Sequence, residues 1–131
     1  MNICGIDIGK KGGIAIYNGE KFETIEHSFV SMKTTYELLC KIFKDVDAVI
    51  VGEAFGHRQV VKYQAKFYGI IELICETLEI PVVYKTDNTM RKEIFGAGNG
   101  RNKEMVHKHY KGSTPDVSDA MLFSFYLYKF Q

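Results

Sequence analysis

The chain has 131 residues and a formal net charge of only +1, from 17 Lys and Arg against 16 Asp and Glu. That length predicts one domain over residues 1–131 and excludes architectures that need two full lobes. Apolar residues at 46% and charged residues at 25% can bury a core without disulfide staples. The near-zero charge argues, at first sight, against a nucleic-acid partner. No run of about 18 apolar residues is present to span a membrane. The sequence enters a strand-like run at Asn2 with no basic segment and apolar stretch before it, so no secretory signal is expected. Cys4, Cys40 and Cys75 are odd in number and form no C-x-x-C pair. They predict reduced core thiols and a cytoplasmic setting rather than a disulfide frame or a zinc site.

Residues 2–8 read as an Ile-rich strand, 14–17 as a second strand and 21–29 as a third. Asn18-Gly19 between the last two predicts a two-residue type I′ hairpin, which needs positive φ at both positions. A helix follows over about 33–44, where Tyr36, Leu39, Cys40 and Phe43 fall on one stripe. Ala48 to Val51 is a short continuous apolar run, as in a strand covered on both faces. Helix 62–78 carries Phe67, Ile70, Ile71, Ile74, Cys75 and Leu78 along one side. Pro81 to Tyr84 is a fifth strand, and a helix over 87–95 is capped by Asp87 or Thr86. Gly96 to Gly100 is a loop, followed by helices over 103–110 and 115–128. Strands reached through a helix should run parallel to the first strand. The expected architecture is α/β: a mixed five-stranded sheet, three antiparallel strands and then two parallel ones, flanked by helices.

Four carboxylates carry the chemistry. Asp7 closes a strand that should be central, and an unpaired buried carboxylate there needs a cation or a hydrogen-bond network. A loop-capping role is the plainer alternative, but a central strand offers few exposed donors. Glu53 ends the Ala48–Gly52 run, and catalytic groups in α/β sheets gather at the carboxyl ends of strands. The plain alternative is a solvated loop Glu. Asp116 and Asp119 open the last helix on one face, with Pro115 in its first turn and Ser113 or Thr114 as cap. Both could simply complement the helix dipole, which suits Asp116 better than Asp119, because the helix after Ala120 is apolar nearly all round. Together the set suits hard divalent cations such as Mg²⁺. Two such ions about 4 Å apart can stabilise both the attacking and the leaving oxygen of a phosphodiester. His57, His107 and His109 read as solvated or phosphate-facing rather than as ligands, and His27 carries no assigned role.

Gly5-Ile6-Asp7-Ile8-Gly9, followed by Gly12-Gly13-Ile14-Ala15, resembles the first motif of the RuvC family of Holliday-junction resolvases. Ile50-Val51-Gly52-Glu53-Ala54-Phe55 resembles the second motif, and Asp116-Val117-Ser118-Asp119-Ala120-Met121 the closing D-x-x-D-A helix. Gln64-Ala65 with Gly69, the Ile80-Pro81-Val82-Val83 strand, and Gly96 and Gly98 ahead of Lys103 match in order, so the resemblance covers nearly the whole chain. It implies an RNase H-like fold, a homodimer, and Mg²⁺-dependent cleavage of four-way and other branched DNA, with two ions per site and Mn²⁺ able to substitute. By motif position, Asp7, Glu53, Asp116 and Asp119 would be catalytic metal ligands. Lys103 would be the functional lysine beside them, and Arg91 a second basic residue facing DNA. Phe55 lies near the family's aromatic at the junction centre, although its offset from Glu53 differs. Ile8 stands where many members have Pro, and the Gly-rich loop before Lys103 is longer than the family's. The chain is also shorter than cellular members and closer to phage or viral relatives, which would place it in host cytoplasm and puts strict sequence preference at the cut in doubt.

Charge by segment changes the first impression. Residues 1–56 hold 6 basic and 8 acidic groups, 57–111 hold 10 and 6, and 112–131 hold 1 and 2. The basic excess therefore lies in the middle of the chain, where Arg58, Lys62, Lys66, Arg91, Lys92, Arg101 and Lys103 are candidates for DNA contact. The alternatives are a RuvC-like ribonuclease acting in RNA processing, a non-catalytic junction-binding module, and an ATPase of the actin and sugar-kinase type. The last needs a second lobe, and in the binding module four retained carboxylates would repel phosphate.

Overall fold

Successive side chains of a strand point to opposite faces, and along the first strand that alternation decides which residues meet which helices. The computed structural model describes residues 1–53, 58–96 and 100–130, the side chains of 58–60 and 100–103 excepted. Strands β1 (Ile3–Asp7), β2 (Gly12–Tyr17) and β3 (Phe22–His27) form an antiparallel meander. Strands β4 (Ala48–Glu53) and β5 (Val82–Thr86) add on the other side of β1, parallel to it. The sheet order is β3-β2-β1-β4-β5, so β1 is central. The helices are α1 (Met32–Ile42), α2 (Arg58–Leu78), α3 (Asp87–Phe95), α4 (Gly100–Tyr110) and α5 (Pro115–Phe130). This is the expected mixed sheet, three antiparallel strands and two parallel ones, with its helices.

On one face, Cys4, Ile6, Val49 and Val51 pack with Leu39 of α1, Phe43 of the short 3₁₀ turn after it, and Phe67, Ile71 and Ile74 of α2. Phe43 and Phe67 are only 1% exposed, and burying such a side chain contributes about 1.5–3 kcal/mol. On the other face, Ile3, Ala48 and Ile50 meet Leu122, Phe123 and Tyr126 of α5, with Met90 of α3 and Val106 of α4. By the same alternation Gly5 and Asp7 belong to this second face.

Glycine lets α5 lie directly on the strands. A Cβ on Gly5 would stand 2.3 Å from the Ala120 carbonyl oxygen and 2.7 Å from the Ser124 amide nitrogen. One on Gly13 would stand 2.7 Å from the Asp116 carbonyl oxygen, and one on Gly52 2.5 Å from the Phe123 ring. Gly13 is the partner of Asp7 across the β1–β2 ladder, so the start of α5 is carried to the end of β1.

The hairpin differs from expectation. Tyr17 pairs with Phe22, so the loop is Asn18–Lys21, and positive φ occurs at Gly19 but not at Asn18. The Asn18 side-chain oxygen accepts from the amides of Glu20 and Lys21 at 2.9 Å. A longer loop closed by that Asx contact replaces the type I′ turn. Helix α2 begins earlier than periodicity suggested, at Arg58, and β4 runs through Glu53. Cys4 and Cys75 are buried free thiols and Cys40 is half-buried. Burial pushes the Cys75 thiol up to about 11 and the Cys4 thiol well above the usual range. Among the described residues, no helix is long and apolar enough to cross a membrane.

Candidate active site

The site lies at the carboxyl end of β1. Asp7 is the last residue of that strand and is partly buried. Helix α5 starts beside it. The Thr114 hydroxyl accepts from the Val117 amide at 3.1 Å, which answers one of the helix's free N–H groups and settles the cap on Thr114 rather than Ser113. Asp116 then sits in the first turn and Asp119 one turn on, with Asp119 only 6% exposed. Ser118 between them is fully buried. Its hydroxyl accepts from the Gly112 amide at 2.9 Å and bonds the His107 Nδ1 at 2.8 Å, which ties α4 and the turn before α5 to the acidic helix. His107 is therefore half-buried at a helix contact rather than simply solvated.

The electrostatics of Asp7 follow from this packing. Burial raises its pKa well above the usual carboxylate range, the charges of Asp119 and Asp116 raise it further, and so do a hydrogen bond with Asp116 and the charge of Asp87. With no cation present, burial and the neighbouring acidic charges all favour the protonated form of Asp7. A group of acids in that state is one whose charge a cation would release.

Glu53 ends the neighbouring strand and is exposed. The β1–β4 ladder stops at Ile6–Val51, so Asp7 and Glu53 leave the sheet at the same end. The charges acting on Asp7 are nonetheless those of the two α5 aspartates and Asp87. Among the described residues, no three His, Cys, Asp or Glu side chains already converge on a point where one ion would sit. Asp116 and Asp119 of α5 thus act on Asp7 without converging on one point, and Glu53 stands exposed at the end of the neighbouring strand.

The sequence marks Asp87 only as a candidate helix cap. Thr86 takes that role, accepting from the Thr89 amide at 3.3 Å, and Asp87 instead pairs with Arg91 at 2.9 Å. The spacing of four residues was the available signal. Arg91, expected to face DNA, has a side chain that is 9% exposed. Lys62, Lys66 and Lys92 are exposed. Phe55 lies outside the described residues, as do the side chains of Arg58, Arg101 and Lys103.

A meander of three strands followed by two parallel strands through helices, with an acid at the end of the central strand, is an RNase H-like arrangement. Neither the known family models nor the curated proteins give a match. Among solved structures, RuvC of T. thermophilus in complex with a Holliday junction substrate aligns at 17% identity and a TM-score of 0.73, over 96% of this chain and 91% of that one. The fowlpox virus Holliday junction resolvase aligns at 15% identity and a TM-score of 0.60, over 100% of both chains. A YeaZ-like protein from Pseudomonas aeruginosa matches at 12% identity and a TM-score of 0.50, but over 70% of this chain and 47% of its own. The matches over nearly the whole of both chains include these resolvases. At such identities the likeness establishes the fold.

Proposed function

We propose that the chain is a structure-selective endodeoxyribonuclease that hydrolyses phosphodiester bonds in four-way junctions and other branched DNA. The observation that carries this reading is the action of Asp116 and Asp119 on a buried Asp7 at the end of the central strand. Whole-length likeness in fold to proteins named as Holliday junction resolvases supports the substrate.

The donor set fits a hard divalent cation, Mg²⁺ with Mn²⁺ as substitute: the groups are all carboxylate oxygens, and Asp7 is a crowded acid in want of neutralisation. Asp7, Asp116, Asp119 and Glu53 would hold two such ions, the side chains closing up as they bind. When bound, the ions supply positive charge against the oxygens attacked and released at the phosphate. The chain's own residues do the rest. The α5 backbone on Gly5 and Gly13 fixes Asp116 and Asp119 against Asp7. Lys103 would stand near the phosphate, with Arg58, Lys62, Lys66, Lys92 and Arg101 along the flanking backbone and Phe55 at the junction centre. The basic middle segment supplies the charge that DNA requires. A homodimer would match the two-fold symmetry of a four-way junction, working in the cytoplasm.

The test is cleavage of labelled junctions, flaps, forks, plain duplex and a matched RNA hairpin with Mg²⁺ or Mn²⁺. Cutting of the branched DNA by wild type, with binding but no cutting by Asp7→Asn, supports the reading. Equal cutting by both proteins removes the site assignment, and cutting of the RNA alone moves the substrate to RNA.

A further inference from the structure

We propose that Asp87 is a positioning residue of this site, holding the buried Arg91 guanidinium beside the acidic cluster where it can meet a phosphodiester oxygen. The substrate class rests on the nuclease reading above; the positioning itself does not.

Asp87 stands at the right edge of the sheet. It follows Thr86 directly, and Thr86 pairs with Glu53 across β4 and β5. Its charge reaches Asp7, so the two carboxylates share one electrostatic neighbourhood. Because Thr86 caps α3, the Asp87 side chain is free for another task.

The burial of the pair is lopsided. The Asp87 side chain is 43% exposed and the Arg91 side chain 9%. The carboxylate could rest in water, whereas the guanidinium has been drawn out of it. A guanidinium carries five N–H donors in a rigid fork, and burying them demands partners. Arg91 Nη1 donates to Asp87 Oδ2 at 2.9 Å, while the buried Nε has no partner among the described residues. An unmet buried donor is costly, and more so when it belongs to a charged group. A guanidinium held at that cost beside Asp87, with its side chain still 9% exposed, is suited to an anion that enters from outside. The anion that must approach this acidic cluster is the phosphodiester. Arg91 would touch it, and Asp87 acts through Arg91 by fixing the fork's orientation.

The experiment compares wild type, Asp87→Asn, Asp87→Ala, Arg91→Ala and the Asp87→Ala/Arg91→Ala double variant at equal folded fraction. Single-turnover cleavage of a labelled four-way junction is read as a rate and a half-saturating concentration. Asp87→Ala should slow cleavage about 10–100-fold with less than about a threefold change in half-saturation, and should add nothing once Arg91 is gone. Asp87→Asn, which keeps an acceptor oxygen, should recover part of the rate. Wild-type cleavage in Asp87→Ala, or fully additive losses, overturns the proposal. A second readout does not depend on cleavage. The Arg91 Nε–H resonance, assigned by its loss in Arg91→Ala, should be sharp and exchange-protected in wild type, shift on addition of a short single-stranded DNA, and broaden in Asp87→Ala. An Arg91 signal indifferent to both changes overturns the proposal even if the protein cuts junctions. If the signal behaves as expected while wild type cuts no branched DNA, the nuclease reading fails and the positioning role stands.

Discussion

The two faces of the sheet follow opposite rules. Toward α1 and α2, Cys4, Ile6, Val49 and Val51 meet Leu39, Phe67 and Ile71, apolar side chain against apolar side chain. Toward α5, the strands give up side-chain volume at Gly5, Gly13 and Gly52 so that a helix backbone can lie against them. That closeness sets Asp116 and Asp119 against Asp7. The first face stabilises the fold through buried area. The second accepts desolvated, mutually repelling acids, which destabilises it in return for a charged site. Stability and chemistry should therefore separate by face.

The largest expected effect is on the acidic face. Asp7→Asn should lower junction cleavage by about 10³-fold, the scale for losing a group that stabilises transition-state charge. The same change should stabilise the metal-free protein at neutral pH. The folded pKa of Asp7 is raised, so its favourable contribution is complete below the ordinary carboxylate value and is lost as pH rises through the folded value. Thermal melts of the two proteins should coincide in acid, diverge above about pH 4, and stop diverging once the raised pKa is passed. Added Mg²⁺ should narrow the gap by stabilising wild type. A wild type more stable than Asp7→Asn at neutral pH without metal would break the comparison.

Next comes the apolar face. Phe67→Ala should cost about 3–5 kcal/mol in denaturant unfolding, with the cleavage rate per folded molecule changed by less than about twofold. Gly5→Ala is the crossing point between the two rules. It should cost about 1–3 kcal/mol or more, because α5 must lift off β1, and it should also slow cleavage per folded molecule. A Gly5→Ala protein that is less stable but fully active would show that the close seat of α5 is not what places the acids. Ser118→Ala leaves the Gly112 amide and His107 without their shared partner. It should cost about 1–3 kcal/mol in the same assay. The smallest effect on stability belongs to Lys62→Gln with Lys66→Gln, both exposed. If each lysine meets a phosphate, junction affinity should fall and the slope of log affinity against log salt should shrink by about 1 per lost contact.

Much of the fold was readable because the signals were local. The short apolar run ending at Glu53, the stripe on α2 and the near-uniformly apolar α5 each name an element by periodicity. Turn chemistry misled at Asn18-Gly19, where the Asn18 side chain satisfied the Glu20 and Lys21 amides and made a longer loop favourable. Within the site, an acid on a central strand and two on a buried helix stood out, because charge is expensive in those places. Arg91 and Asp87 did not, since a basic and an acidic residue four apart look the same on a buried helix as on an open one.

The sequence by itself determined the order of the elements, the side of the strand on which Asp7 lies, and the helix that carries Asp116 and Asp119. Those follow from repeats of two and 3.6 residues, which adjacent residues set between them. Only the tertiary structure decided that α5 lies on Gly5 and Gly13, that Asp116 and Asp119 act on Asp7, and that Arg91 is buried against Asp87 while Glu53 stays open. Depth and partnership depend on what packs from elsewhere in the chain. The same spacing of charges can therefore end as a solvated face or as a desolvated site, and for Asp116 and Asp119 the glycines beneath α5 permit the close seat.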